Sequence, residues 1–258
     1  TTPLLESIRY SNQFNAKILL KREDLHRVRS YKIRGAYNKM SSLSNFEKMK
    51  GVVCASAGNH AQGVAFACNH LKVNGHIYML SVTPKQKVEQ TKMFGGDWVT
   101  IILVGDTFDD SSKAAMKACK EQGKIYIHPF DDPKVIEGQG TVGLELLDQF
   151  DSPIDYLFVA IGGGGLASGL IGVFKALSPN TKIIGVEPEG APSMKTSIEK
   201  GVNTELEFID KFIDGAAVQR VGDYTFSICK DNLSDIVTVP EGKVCQTILD
   251  LYNRDAIV

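Results

Sequence analysis

The chain has 258 residues, 43% hydrophobic and 23% charged, enough to bury a sizeable core and more in keeping with two domains than one. With 29 Lys+Arg against 30 Asp+Glu the formal net charge is −1, which supplies no field for nucleic acid or an anionic membrane. The 5 cysteines are odd in number and never form a CxxC pair, which argues against a disulfide framework and a zinc site and fits a reducing, cytoplasmic compartment.

Apolar, β-branched runs alternate with helical patterns along the chain. Strands are predicted at 16–22, 51–55, 75–80, 97–103, 124–128, 155–161, 182–188 and 235–240. Helical stripes fall between them: Ala61, Val64, Ala65, Cys68 and Leu71 form one, Leu166, Leu170, Val173, Phe174 and Leu177 another, and Val244, Ile248, Leu251 and Tyr252 a third. Such alternation predicts an α/β fold with parallel-rich sheets covered by helices on both faces. No Pro- or Gly-rich hinge separates the halves, which suggests one domain inserted in another. No apolar run approaches membrane-spanning length and no signal peptide opens the chain. The opening "TTPLLES" and closing "LYNRDAIV" read as interior segments, so a portion of a longer protein is expected.

Three segments carry chemistry. In "REDLHRVRSYKIRGA", Lys32 lies between Tyr31 and Ile33, where shelter from water depresses an ammonium's pKa and makes the amine nucleophilic. In "CASAGNHAQG", a strand gives way to small polar residues and then a helix. Ser56, Gly58, Asn59 and His60 stand where the first free N–H groups of that helix point outward, suited to a carboxylate or simply to capping. In "IGGGGLASG", four glycines between strand and helix let backbone N–H groups converge on an anion, aided by the helix dipole. No GK[ST] follows, so a nucleotide is not implied. A lysine, a phosphate cradle and a carboxylate turn together are what a pyridoxal phosphate enzyme requires.

"SYKIRGA" (30–36), "SAGNHAQG" (56–63) and "GGGGL" (162–166), in this order, resemble the fold-type II pyridoxal phosphate enzymes of tryptophan synthase β-like architecture, and most closely the threonine dehydratase (threonine ammonia-lyase) group. "TPLLES", "KREDL", "VIEGQGTVGLEL" and "DGAAVQRVGDYTF" extend the resemblance along the chain. It implies a small domain, 50–132, inserted in a large one made of 1–49 and 133–258, with the cofactor in the cleft between them. It implies Lys32 as the covalent cofactor lysine with Tyr31 beside it, and Asn59 on the ring oxygen. Gly162, Gly163, Gly164, Gly165 and Leu166 would hold the phosphate, and Ser56, Ala57, Gly58 and His60 the substrate carboxylate.

The implied reaction is deamination of L-threonine, and of L-serine, to 2-oxobutyrate or pyruvate and ammonia, with Lys32 as the base over Cα. A cytoplasmic homo-oligomer, dimer or tetramer, in isoleucine biosynthesis goes with it; nucleic acid and membrane are not expected partners. Serine racemase and serine dehydratase are the alternative. Racemases carry a serine where Ala57 stands, and racemisation needs an acid–base group on each face. Some relatives bind a divalent cation; Glu187 and Ala191 match two of the ligand positions, but Ser193 replaces the third, an aspartate, so no metal is expected. A reading of another class is a cofactor-free fragment or pseudoenzyme, because the family's C-terminal Gly-rich strand, which meets the pyridine nitrogen, lies beyond residue 258.

Overall fold

A computed structural model describes residues 1–106 and 108–257. Two compact units are found, Thr1–Ser152 and Pro153–Val258.

The first unit opens with β1 (Leu4–Glu6), α1 (Ile8–Phe14) and β2 (Leu19–Lys21). β1 and β2 pair antiparallel, Leu4 opposite Lys21. β1 is three residues long, too short for alternation to announce it. α2 (Lys32–Ser41) and α3 (Asn45–Lys50) follow, then β3 (Val52–Ala55), α4 (Asn59–Leu71), β4 (Gly75–Met79), α5 (Lys85–Gly95), β5 (Val99–Leu103), α6 (Phe108–Gln122), β6 (Ile125–Tyr126) and α7 (Pro133–Gln149). The sheet runs β5-β4-β3-β6 and is parallel throughout.

β3 shows why these strands read as continuous apolar runs. Its side chains alternate between faces, and both faces are covered. Val52 and Cys54 join Met40, Ala61, Val64, Ala65 and Cys68 in the core under α2 and α4. Val53 and Ala55 join Tyr78, Ala115 and Ala118 against α6. The stripe predicted from Ala61 to Leu71 is thus the buried face of α4.

α2 packs against both α4 and α7. Arg34 ties its first turn down. The guanidinium forks onto Glu23, at 2.7 and 2.8 Å, and onto Glu145, at 2.6 and 2.9 Å. Lys21 donates to Glu145 as well, at 2.6 Å. Burial alone would raise the Glu145 carboxyl, but the bonds from Arg34 and Lys21 overcome it and hold the group well below the usual carboxylate range. α7 begins where Asp132 accepts N–H bonds from Lys134 (2.8 Å) and Val135 (3.2 Å), with Pro133 in the first helical position, where its missing N–H costs nothing.

The second unit comprises β7 (Tyr156–Ala160), α8 (Gly165–Leu177), β8 (Lys182–Pro188), α9 (Ser193–Lys200), α10 (Asp223–Lys230), β9 (Asp235–Val239) and α11 (Glu241–Asp255). Its sheet is parallel, in the order β7-β8-β9. α8 buries Ala167, Leu170, Ile171 and Phe174, and Leu177 at its end is exposed. The third predicted stripe does lie on a helix, α11, yet Ile248 and Tyr252 remain exposed.

Candidate functional site

Lys32 opens α2 because the chain turns sharply just before it. Arg29 adopts φ 55°, a left-handed conformation that side-chain-bearing residues seldom take, and Ser30 Oγ accepts the Lys32 N–H at 3.2 Å. The side chain is partly buried. Its Nζ donates to the Pro129 carbonyl at 2.8 Å and lies 5.6 Å from the Tyr31 ring centre and 6.0 Å from that of Phe130. Burial lowers the amine to about 8 and pushes the Tyr31 hydroxyl up to about 12.

The start of α4 approaches the same turn. At Gly63 a Cβ would come within 3.1 Å of the Lys32 carbonyl and the Ile33 nitrogen, so a hydrogen there lets the two helices touch. Four residues earlier, Asn59 begins the helix and is exposed, while Ser56, Ala57 and Gly58 are partly buried. Ser56 Oγ accepts the Gly58 N–H at 3.2 Å. The helix has no side-chain cap. Its first N–H groups therefore face outward with the positive end of the dipole.

His60 is buried, 3% exposed, and its Nε2 bonds the Ile127 carbonyl at 2.9 Å. A carbonyl only accepts, so Nε2 carries the proton and Nδ1 offers a lone pair. That Nδ1 is buried without a hydrogen-bond partner. Burial, and then the neighbouring Lys32, push the ring down to about 3, so it is neutral. The side chain is an acceptor, and only the His60 backbone N–H can serve an anion.

In the second unit, β7 runs into the glycines. Gly164 caps α8 at φ 89°, and a Cβ there would meet Thr225 Cβ at 2.8 Å and Met194 Cε at 2.9 Å. Thr225 Oγ1 donates to the Gly163 carbonyl at 2.7 Å. This pins the loop from α10. Gly163, Gly164 and Gly165 are buried, Gly162 and Leu166 partly so, and α8 has no side-chain cap. No N-cap side chain therefore takes up the first N–H groups of α8.

Glu187 is buried at 1% exposure and is already occupied. Its two oxygens accept the N–H groups of Met194 (2.8 Å) and Lys195 (2.9 Å), so it caps α9. Burial pushes its carboxyl up to about 7 against these bonds. Ala191 is buried, and Ser193 Oγ donates to the Val218 carbonyl. Among the described residues no group of three or more His, Cys, Asp or Glu is arranged to hold a metal ion.

The structure therefore gathers Lys32, Tyr31 and the Ser56–His60 turn in the first unit and shapes the glycine loop in the second. It adds Pro129, Phe130 and His128 around Lys32 and Thr225 under the loop, none of which sequence reasoning singled out. One signal could have found the first three: they follow the carboxyl end of a parallel strand, where open α/β sheets carry their ligands.

The family described as "Pyridoxal-phosphate dependent enzyme" matches residues 1–258. The chain is 54% identical over 257 residues to the "L-threonine dehydratase biosynthetic IlvA" of Halalkalibacterium halodurans, with 100% of this chain aligned to 62% of that protein. It thus spans less than two-thirds of that relative's length. Among solved structures it is similar to the processed form of threonine deaminase isoform 2 from Solanum lycopersicum: TM-score 0.95, 44% identity, 100% of this chain and 74% of that one. It is also similar to maize serine racemase: TM-score 0.94, 32% identity, 99% of this chain and 76% of that one.

Proposed function

Since this chain belongs to the pyridoxal-phosphate-dependent enzyme family, we propose that its protein deaminates L-threonine, and L-serine as a second substrate, with Lys32 as the covalent anchor of the cofactor. The observation that carries this reading is the Lys32 amine, sheltered by Tyr31 and Phe130 and lowered to about 8. At pH 8 half of such an amine is unprotonated, against about 0.3% for an ordinary lysine. The donor set also suits the group: two uncapped helix starts for anions, and a buried Nδ1 lacking a partner.

When bound, the cofactor supplies an electron sink for the charge left on the substrate's Cα. Lys32 Nζ takes the Cα proton, and Tyr31 and Phe130 keep water from the amine. The Ser56–Ala57–Gly58 turn, with the backbone N–H of His60, takes the substrate carboxylate, and Asn59 takes the ring oxygen. Gly162, Gly163, Gly164, Gly165 and Leu166 take the phosphate. We also propose that residues 50–132 act as a small inserted domain, and that the enzyme is a cytoplasmic homo-oligomer serving isoleucine biosynthesis. No helix among the described residues is long and apolar enough to cross a membrane.

The likeness to maize serine racemase favours a second reading, racemisation or dehydration of serine. Ala57 weighs against racemisation because a methyl group can neither donate nor accept a proton. Borohydride reduction with pyridoxal phosphate, followed by peptide mapping, tests the anchor. A single adduct at Lys32 is expected, with release of 2-oxo acid from L-threonine and a loss of roughly 10²–10⁴-fold in Lys32→Ala. Adducts scattered over surface lysines would overturn the assignment.

A further inference from the structure

The passage from β6 to α7, residues 127–132, touches two functional side chains at once. The Ile127 carbonyl bonds His60 Nε2, and the Pro129 carbonyl accepts from Lys32 Nζ at 2.8 Å. The shape of this passage depends on the ring between those two carbonyls. His128 Nδ1 accepts the backbone N–H of Asp131 at 2.7 Å and of Phe130 at 3.3 Å. It plays the part an Asn or Asp side chain plays in closing a turn on its own backbone. The ring is also packed edge-on against Phe130, centres 4.8 Å apart, and against Tyr126 at 6.0 Å. Lys32, Asp131 and Asp132 are the charged groups around it, and burial foremost keeps it neutral, as an accepting Nδ1 requires.

We propose that His128 is a positioning residue for Lys32: its Nδ1 fixes the Pro129–Asp131 turn, and that turn aims the Pro129 carbonyl at the Lys32 amine. The free amine then has a defined direction to return to after each proton transfer, rather than a spread of rotamers. This deepens the reading of Lys32 given above and rests on it.

Two substitutions separate positioning from packing. His128→Asn keeps an acceptor where Nδ1 stands, His128→Gln places one where Nε2 stands, and both remove the ring. Competitive acetylation of the cofactor-free protein across pH, read peptide by peptide, gives the midpoint of the Lys32 amine. His128→Asn is expected to keep the wild-type midpoint. In His128→Gln the ammonium loses its aimed acceptor while the aromatic shelter remains. Its midpoint falls by about half a unit or more, about threefold more free amine at a fixed pH below it. A Gln midpoint equal to or above the wild type's, or an Asn variant shifted as far as Gln, overturns the proposal. If the Gln variant does not fold, His128→Leu, with no acceptor at all, replaces it with the same outcomes. No cofactor enters this measurement, so failure of the reductive trapping at Lys32 would sink the cofactor reading separately.

Discussion

Burial pushes the Glu187 carboxyl up to about 7, while in an unfolded chain it titrates near 4.5. Between those values the folded chain holds a proton that the unfolded chain has released. The stability this contributes is present in full below pH 4.5 and is lost as pH rises through 7, a swing of up to about 3 kcal/mol. Glu187→Gln removes the titration and keeps one acceptor for the two N–H groups at the start of α9. Thermal melts should therefore show the Gln variant gaining on the wild type between pH 5 and pH 8. A gap that stays constant with pH would mean that Glu187 is not the titrating group. The same residue shows what local sequence leaves hidden. Its match to a cation-ligand position is visible in "EPEGAPS", whereas its use as a helix cap depends on the fold bringing residues 194 and 195 under it.

Among the described elements, α2 relies on partners far away in sequence. Its first turn is held by Arg34, clamped between Glu23 and Glu145, 11 and 111 residues distant. Removing the guanidinium leaves two carboxylates, at 15% and 16% side-chain exposure, without their main partner. Arg34→Met is expected to cost about 3 kcal/mol at pH 7 by urea denaturation. Both carboxyls are lowered in the folded chain by this pairing, so the stability they contribute is present above pH 4.5 and fades as pH falls. The penalty in Arg34→Met should shrink accordingly towards pH 3; a penalty independent of pH would point to lost packing instead. α4 and α8 were legible because each begins at a motif that also marks a helix start, whereas α2 carries Lys32 in its motif but no helical stripe is predicted there. Pro129 lies 97 residues from Lys32 and Thr225 62 from Gly163, and no periodicity spans such distances.

At the scale of the whole chain, the sequence pattern anticipated parallel sheets and the positions of eight strands, and it missed β1, whose three residues pair with β2. The family resemblance implies an inserted domain at 50–132; the chain divides into the compact units Thr1–Ser152 and Pro153–Val258, and residues 151–153 are exposed. Limited digestion with an Asp-specific protease distinguishes the two divisions. First nicking at Asp151 or Asp155 would support the join at 152–153, and early cutting at Asp131 or Asp132 would support the insertion. The pinned carbonyl of Gly163 has a further consequence, a calorimetric one. Four glycines free in solution would have to be ordered by whatever anion arrives, at a cost of roughly 1–2 kcal/mol per residue. With Thr225 and Met194 already setting the course of the loop, that ordering is done during folding. An anion would therefore bind it with little entropy loss from the backbone, and the temperature dependence of its binding heat would reflect water leaving the loop rather than the loop taking shape.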